Sequence, residues 1–182
     1  MIIKDINSYY FVHHVKEHNQ YKEKLLSLIE QTPKSKIDQQ HQNIYKTDWN
    51  IDSNTKREYV DTLYKMLTPY LLETAKFFYC EHVRIIKSWF QQYTKNNFHD
   101  WHTHPDCNYS SVYYLELKDS NMKTEILDYK TKSILKTTKL KEGDFIIFPS
   151  YLLHRSPINK SNNRKSIFSL NLNFVKSDNI KI

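Results

Sequence analysis

Five short runs rich in β-branched and aromatic residues follow one another through the second half of this chain with no helical pattern between them. They are residues 83–93, 109–117, 122–127, 143–148 and 166–175, separated by polar turn residues. Strands that succeed one another on short polar connections point to an antiparallel barrel or jelly roll. The first half reads differently. Residues 9–15 form a short apolar and aromatic run of strand character, and then Tyr21, Leu25, Leu26 and Ile29 fall on one helical face until Pro33 ends the pattern. An isolated extended segment covers residues 44–49. Asn54 suits the N-cap of a second helix, in which Tyr59, Val60, Leu63, Tyr64 and Leu67 recur at helical spacing. Thr68-Pro69 is expected to interrupt that helix, and Leu71, Leu72, Ala75 and Phe78 resume the stripe. Aromatic stripes at this spacing are core. The fold class expected is therefore mainly β, with N-terminal helices packed on one sheet.

The chain has 182 residues, no internal repeat and no linker-like stretch, which predicts a single domain over 1–182. Residues 1–80 would be its helical support and 83–175 its β core. Only one glycine, Gly143, is present, where average usage would give roughly a dozen. Phosphate-cradling loops need several glycines, so P-loop and dinucleotide-fingerprint binding are excluded. Turns must be made by Asn, Asp, Ser and Pro instead, and Gly143 itself reads as a structural turn residue. Cys80 and Cys107 lie 27 positions apart without a C-x-x-C pair. A reducing, cytoplasmic setting is expected from that usage, from the lack of a signal-peptide pattern, and from the lack of an apolar run long enough to span a bilayer.

The formal charge of +7 is concentrated near the C-terminus, where Arg155, Lys160, Arg164, Lys165, Lys176 and Lys181 face Asp178 alone. This stretch suits either an anionic or nucleic-acid partner or a solvated tail. Nine histidines are present, and six of them (His13, His14, His18, His41, His82 and His99) have no metal-ligand context and read as ordinary polar residues. The other three differ. His102-Thr103-His104 alternates at a predicted strand end, so both imidazoles project from one face, and His154 follows the strand that begins at Gly143. Two donors at i and i+2 with a distant third make a three-ligand site with open positions, the arrangement of non-haem Fe(II) oxygenases. A second register exists, because His104-Pro105-Asp106 spells the more usual H-x-D pattern. The turn character of Pro105 and Asp106 favours His102, His104 and His154, with Asp106 as the alternative ligand.

Four stretches together carry a family resemblance: Trp101-His102-Thr103-His104-Pro105, Ser111-Val112-Tyr113-Tyr114-Leu115, the run from Gly143 to Ser150 followed by His154, and Arg164-Lys165-Ser166. In order and spacing, over about residues 83–175, they resemble the Fe(II)- and 2-oxoglutarate-dependent oxygenases. The nearest branch is the prolyl 4-hydroxylase-like oxygenases of phage and marine bacterial genomes. The resemblance implies a double-stranded β-helix (jelly-roll, cupin-like) core and Fe(II) as cofactor. It also implies 2-oxoglutarate as cosubstrate, with hydroxylation of a small-molecule or peptide substrate and release of succinate and CO₂. It places Arg164, ten residues after His154, on the distal carboxylate of 2-oxoglutarate, with Ser166 as a second donor. Guanidinium geometry suits that role. Tyr114 is expected inside the barrel near the same carboxylate, with Tyr113 facing outward and Tyr93 also reaching the cosubstrate. Trp89 and Trp101 are expected to pack.

Two other functions fit the same residues. A three-histidine cupin dioxygenase needs no cosubstrate and would leave Arg164 and Ser166 dispensable. A non-enzymatic β-barrel module would use the basic C-terminus to bind nucleic acid or another anion, without a metal and with strong salt dependence. Basic and aromatic residues are not interleaved as single-strand binding requires.

Overall fold

The computed structural model describes residues 8–35, 42–136 and 139–176. In chain order its elements are β1 (Phe11–His14), α1 (His18–Gln31), β2 (Gln42–Asn43), β3 (Lys46–Thr47), α2 (Tyr59–Phe77), β4 (His82–Tyr93), β5 (Phe98–His102), β6 (Tyr109–Leu117), a 3₁₀ turn (Ser120–Met122), β7 (Glu125–Asp128), β8 (Ser133–Ile134), β9 (Asp144–Pro149), β10 (His154–Ser156) and β11 (Lys165–Val175). A six-stranded sheet runs β1-β9-β6-β11-β4-β3, and a five-stranded sheet runs β2-β5-β10-β7-β8. Their pairings are antiparallel. This is the expected jelly-roll core with two helices on one sheet. The C-terminal part of the basic stretch, including Asp178 and Lys181, lies outside the described residues, as does His41.

The larger sheet is buried on both faces, and the alternation along its strands decides which residue meets which layer. On β9, Phe145 and Ile147 pack with Leu25, Ile29, Leu63, Leu67 and Leu71 of the helices, whereas Ile146 and Phe148 join the layer between the sheets. On β11, Phe168, Leu170, Leu172 and Phe174 lie on the helix side, and Ile167 lies on the inner side. Tyr113 and Tyr114 split as expected. Tyr113 goes to the helix layer, where its phenol bonds His18 Nδ1 at 2.6 Å, and Tyr114 goes to the inner layer.

Two local expectations are corrected. The second helix starts at Tyr59, not beside Asn54, because the Asn54 backbone N–H is taken by the Asp52 carboxylate in a tight turn. That helix also runs through Pro69. Proline removes one intrahelical donor, but Leu63, Met66, Leu67, Leu71 and Ala75 form one continuous buried stripe across it. Burial of that face outweighs the missing bond.

Gly143 adopts φ +85°, and a Cβ there would come within 3.0 Å of the His18 ring. Conformation and space both call for glycine at this turn. Asn50 and Asn96 take positive φ elsewhere, which is how a chain so poor in glycine makes its other turns. Among the described residues no helix is long and apolar enough to cross a membrane.

Candidate active site

The site is built where β5 and β10 pair. His154 lies directly opposite His102 in that ladder, which sets their rings 4.3 Å apart, centroid to centroid. The chain then leaves β5, and the His104 N–H donates to the Ser150 carbonyl at 3.1 Å. This contact brings the His104 ring to 5.1 Å from His102 and 5.2 Å from His154. One potential ligand nitrogen from each histidine lies within 4.8 Å of the others, the only such group of three or more His, Cys, Asp or Glu among the described residues. Asp106, the alternative ligand, is exposed on the turn that follows and is not part of the group.

Local backbone contacts prepare two of these rings as ligands. His102 Nδ1 lies 2.7 Å from the Asp100 carbonyl oxygen, and His154 Nδ1 lies 2.9 Å from that of Leu152. A carbonyl oxygen only accepts, so Nδ1 carries the proton and Nε2 keeps its lone pair. Burial keeps all three rings neutral. Desolvation holds His102 below the ordinary histidine range and His154 well below it, and desolvation followed by the neighbouring His102 pushes His104 down to about 4.

A cavity runs inward from the histidines between the sheets, past Thr124, Ser156 and Tyr93. Lys165, which lies against the cavity-lining Tyr93 and Ser156, is 1% exposed. Its ammonium donates to Ser156 Oγ at 2.8 Å and sits 4.9 Å from the Tyr93 ring centre. It forms no ion pair with a carboxylate of the described residues. Desolvation pushes its pKa down to about 7, against a weaker upward pull from Glu125. Tyr114 is fully buried beside this region, and its phenol oxygen accepts the Thr124 N–H at 2.9 Å.

The structure does not bring Arg164 and Ser166 to this cavity. They lie on the opposite face, against α1. Arg164 donates to Glu116 at 2.8 Å and to Glu30 at 2.8 Å, and the Ser166 hydroxyl donates to Glu116. Alternation along β11 is the reason: neighbouring residues face opposite layers, so the residue ten positions after His154 falls outside and the eleventh falls inside. The expectation for Arg164 and Ser166 is corrected accordingly, and Lys165 is the basic residue that faces the interior.

His99 is the other residue missed. By sequence it is an ordinary polar side chain, yet it stacks on His102 at 3.9 Å and 18° and lines the cavity. A regular strand would send residues three apart to opposite faces. Here the β5–β10 ladder is irregular, with His102 opposite His154 but His99 opposite Ser156. Three steps on β5 match two on β10, and both imidazoles end on one side. Outward from the histidines the cavity opens into a cleft of about 360 Å³ walled by Trp49, Ile86, Trp89 and Pro105.

No protein-family model and no curated protein sequence matches the chain. Solved structures do. A viral collagen prolyl hydroxylase of Paramecium bursaria Chlorella virus-1, determined with 2-oxoglutarate, is 17% identical, with a TM-score of 0.56 over 90% of this chain and 95% of that one. A prolyl-4-hydroxylase of Pseudomonas putida is 13% identical, with a TM-score of 0.59 over 89% and 91%. An oxidoreductase of the 2OG-Fe(II) oxygenase family from Burkholderia pseudomallei is 12% identical, with a TM-score of 0.65 over 92% and 88%. The fold is that of the 2-oxoglutarate- and Fe(II)-dependent oxygenases.

Proposed function

We propose that this chain is an Fe(II)- and 2-oxoglutarate-dependent dioxygenase of the prolyl-hydroxylase-like branch that hydroxylates a small-molecule or peptide substrate. The observation that carries this reading is the pairing of three converging neutral histidines with a buried lysine whose ammonium donates to Ser156 in the wall of the same cavity. His102, His104 and His154 would hold the metal through imidazole nitrogens that need no deprotonation at neutral pH. Lys165 is a buried cation without a carboxylate partner among the described residues, an arrangement that is costly unless an anion joins it. The distal carboxylate of 2-oxoglutarate supplies that anion. Tyr93 and Ser156 confine the ammonium, and Tyr114 holds the Thr124 backbone that lines the same cavity. When bound, Fe(II) and 2-oxoglutarate supply dioxygen activation, oxidative decarboxylation to succinate and CO₂, and attack on a substrate C–H bond. The protein contributes neutral ligands, a cation for the cosubstrate and a walled cleft for the substrate.

The histidine that replaces the usual carboxylate ligand favours one second reading, a three-histidine dioxygenase that uses no cosubstrate. The nucleic-acid reading loses support, because Arg155 is paired with Glu125, Arg164 with Glu30 and Glu116, and Lys165 is buried. Anaerobic titration with Fe(II) and then 2-oxoglutarate tests the assignment. A weak visible charge-transfer band is expected on adding the cosubstrate, and His154→Ala is expected to abolish it. Metal binding with no response to 2-oxoglutarate would move the cosubstrate-independent reading ahead, and no metal binding would overturn both.

A further inference from the structure

One extra residue in β4 brings Lys87 into the outer cleft. Val83 and Ile85 pack toward the helices, and so do Ser88 and Phe90, Ser88 sharing a hydrogen bond with Tyr64 of α2 at 2.8 Å. The parity changes between these two pairs because β4 bulges against β11. Leu172 pairs with Ile85, and the residue before it, Asn171, pairs with Lys87. Ile86 is left without a partner, and Ile86 and Lys87 both come out on the cleft side. A regular strand would put Lys87 in the helix layer with Ile85. Bulges re-aim side chains in this way beside active sites.

The ammonium so placed is held from two sides. Its Nζ lies 3.6 Å from the Trp49 ring centre and donates to Asn50 Oδ1 at 3.0 Å. The Trp49 ring packs edge-on against Trp89 at 4.2 Å and lies 6.1 Å from the ring of His104. One indole therefore separates the ammonium from the candidate metal ligands. Lys87 forms no ion pair with a carboxylate of the described residues. Asp48, beside Trp49 in the chain, is committed to Tyr59, the Phe90 N–H and Arg57. Asp106 also borders the cleft, but it is exposed on its turn, where water and salt screen it. An ammonium has three donors. Asn50 accepts from one and the Trp49 ring covers one side, which leaves donor capacity and an unpaired positive charge for the cleft.

We propose that Lys87 selects the substrate by donating to an anionic oxygen group, a carboxylate or a phosphate, on a molecule whose apolar part lies against Trp49, Ile86 and Trp89. A fixed cation repels an ammonium and gives a neutral amide an ordinary hydrogen bond, whereas a bond between charged partners is roughly twice as strong. The cosubstrate does not use up both cations. Lys165 pairs with Tyr93 and Lys87 with Asn171, so the two lysines are six residues apart along the ladder, about 20 Å. The one distal carboxylate of 2-oxoglutarate engages one of them. Buried Lys165 takes it, and Lys87, facing the open cleft, is left for the substrate. This inference rests on the proposed function, because it takes the cleft to be the substrate's entrance and Lys165 to be the cosubstrate's anchor.

The test titrates four probes that share one benzyl group, phenylacetate, benzyl phosphate, phenylacetamide and benzylammonium, into full-length protein. The protein is first saturated with Zn(II) and 2-oxoglutarate, so that the histidines and Lys165 are occupied. Binding is read from the indole N–H signals of ¹⁵N-labelled protein, which has three tryptophans. At least one of the two anions is expected to bind about tenfold or more tightly than the amide, the worth of a hydrogen bond to a charged group, and to shift the Trp49 signal. The tighter of the two names the group. Lys87→Met should remove the preference for the anion while the affinities for the amide and for 2-oxoglutarate stay unchanged. Lys87→Arg should keep the preference, and Lys87→Glu should turn it toward benzylammonium. Equal binding of the anions and the amide by wild type, or a preference that survives Lys87→Met, overturns the proposal. Loss of 2-oxoglutarate affinity in Lys87→Met, with full affinity in Lys165→Met, would give Lys87 to the cosubstrate and overturn the proposal together with the Lys165 anchor. If Lys87→Met does not fold, wild type, Lys87→Arg and Lys87→Glu still decide it. Failure of wild type to bind 2-oxoglutarate at all would overturn the proposed function instead, and the same probes and Lys87 variants, titrated without metal or cosubstrate, would still read the cleft.

Discussion

Arg164 and Lys165 are neighbours in the chain and opposites in the fold. The Arg164 side chain is 35% exposed and engages two carboxylates, Glu30 from a helix and Glu116 from the adjoining strand. Lys165 is 1% exposed and engages a serine hydroxyl and an aromatic face. The same division continues along β11: Phe168, Leu170 and Leu172 pack under the helices, while Ile167, Ser169 and Asn171 line the cavity. One face of the strand packs against the helices, and the other borders the cavity. The Arg164 charge on the first face is neutralised within the protein, whereas Lys165 on the second has no carboxylate partner among the described residues and, under the proposed function, is neutralised by the cosubstrate.

The largest effect that separates the two faces is on folding. Leu170→Ala removes a fully buried side chain from the helix layer and should cost about 2–5 kcal/mol in urea denaturation. The affinity of the remaining folded protein for 2-oxoglutarate should be unchanged. A change in that affinity would show that the faces are not independent.

Lys165→Met is next and acts in the opposite direction. The folded-state pKa of about 7 lies below the ordinary 10.5 of an unfolded lysine. Between those values the unfolded chain holds more protons, so this group makes stability rise with pH, by up to about 1.4 kcal/mol per pH unit. The ligand-free wild type should therefore gain on Lys165→Met between pH 7 and pH 9. Lys165→Met should itself be more stable than wild type at pH 7 by roughly 1–4 kcal/mol, as expected when an unpaired buried charge is replaced by an apolar side chain. Equal slopes in the two proteins would contradict the burial of this ammonium.

Arg164→Met should have the smallest effect, a loss of about 1 kcal/mol or less that shrinks at high salt, because its pairs are partly exposed. A larger, salt-independent loss would mean that the ion pairs with Glu30 and Glu116 fix the position of α1.

Much of this architecture is legible in the sequence. The strand of residues 109–117 coincides with β6, the runs at 83–93 and 166–175 differ from β4 and β11 by one residue at one end, and the run at 143–148 is offset from β9 by one residue at each end. These long segments are buried on both faces or strongly alternating, so burial and β-propensity agree. The three histidines are legible because alternation and chain order place them together. The choice between Arg164 and Lys165 is not, if residues are counted from His154. Parity along β11 carries part of the signal: Arg164 and Ser166 share a face with Phe168, Leu170 and Leu172, and Lys165 shares one with Ile167, Ser169 and Asn171. What the sequence lacks is which face the helices cover. His99 is hidden for a different reason, since a ladder irregularity between β5 and β10 leaves no mark in composition or spacing.

The most direct test of the division is the dissociation constant of 2-oxoglutarate for the Mn(II)-loaded protein, measured for wild type, Lys165→Met and Arg164→Met. The account predicts a weakening of about 100-fold in Lys165→Met, as when one partner of a buried charge pair is removed, and a change within about twofold in Arg164→Met. Full affinity in Lys165→Met, or a loss confined to Arg164→Met, would contradict it.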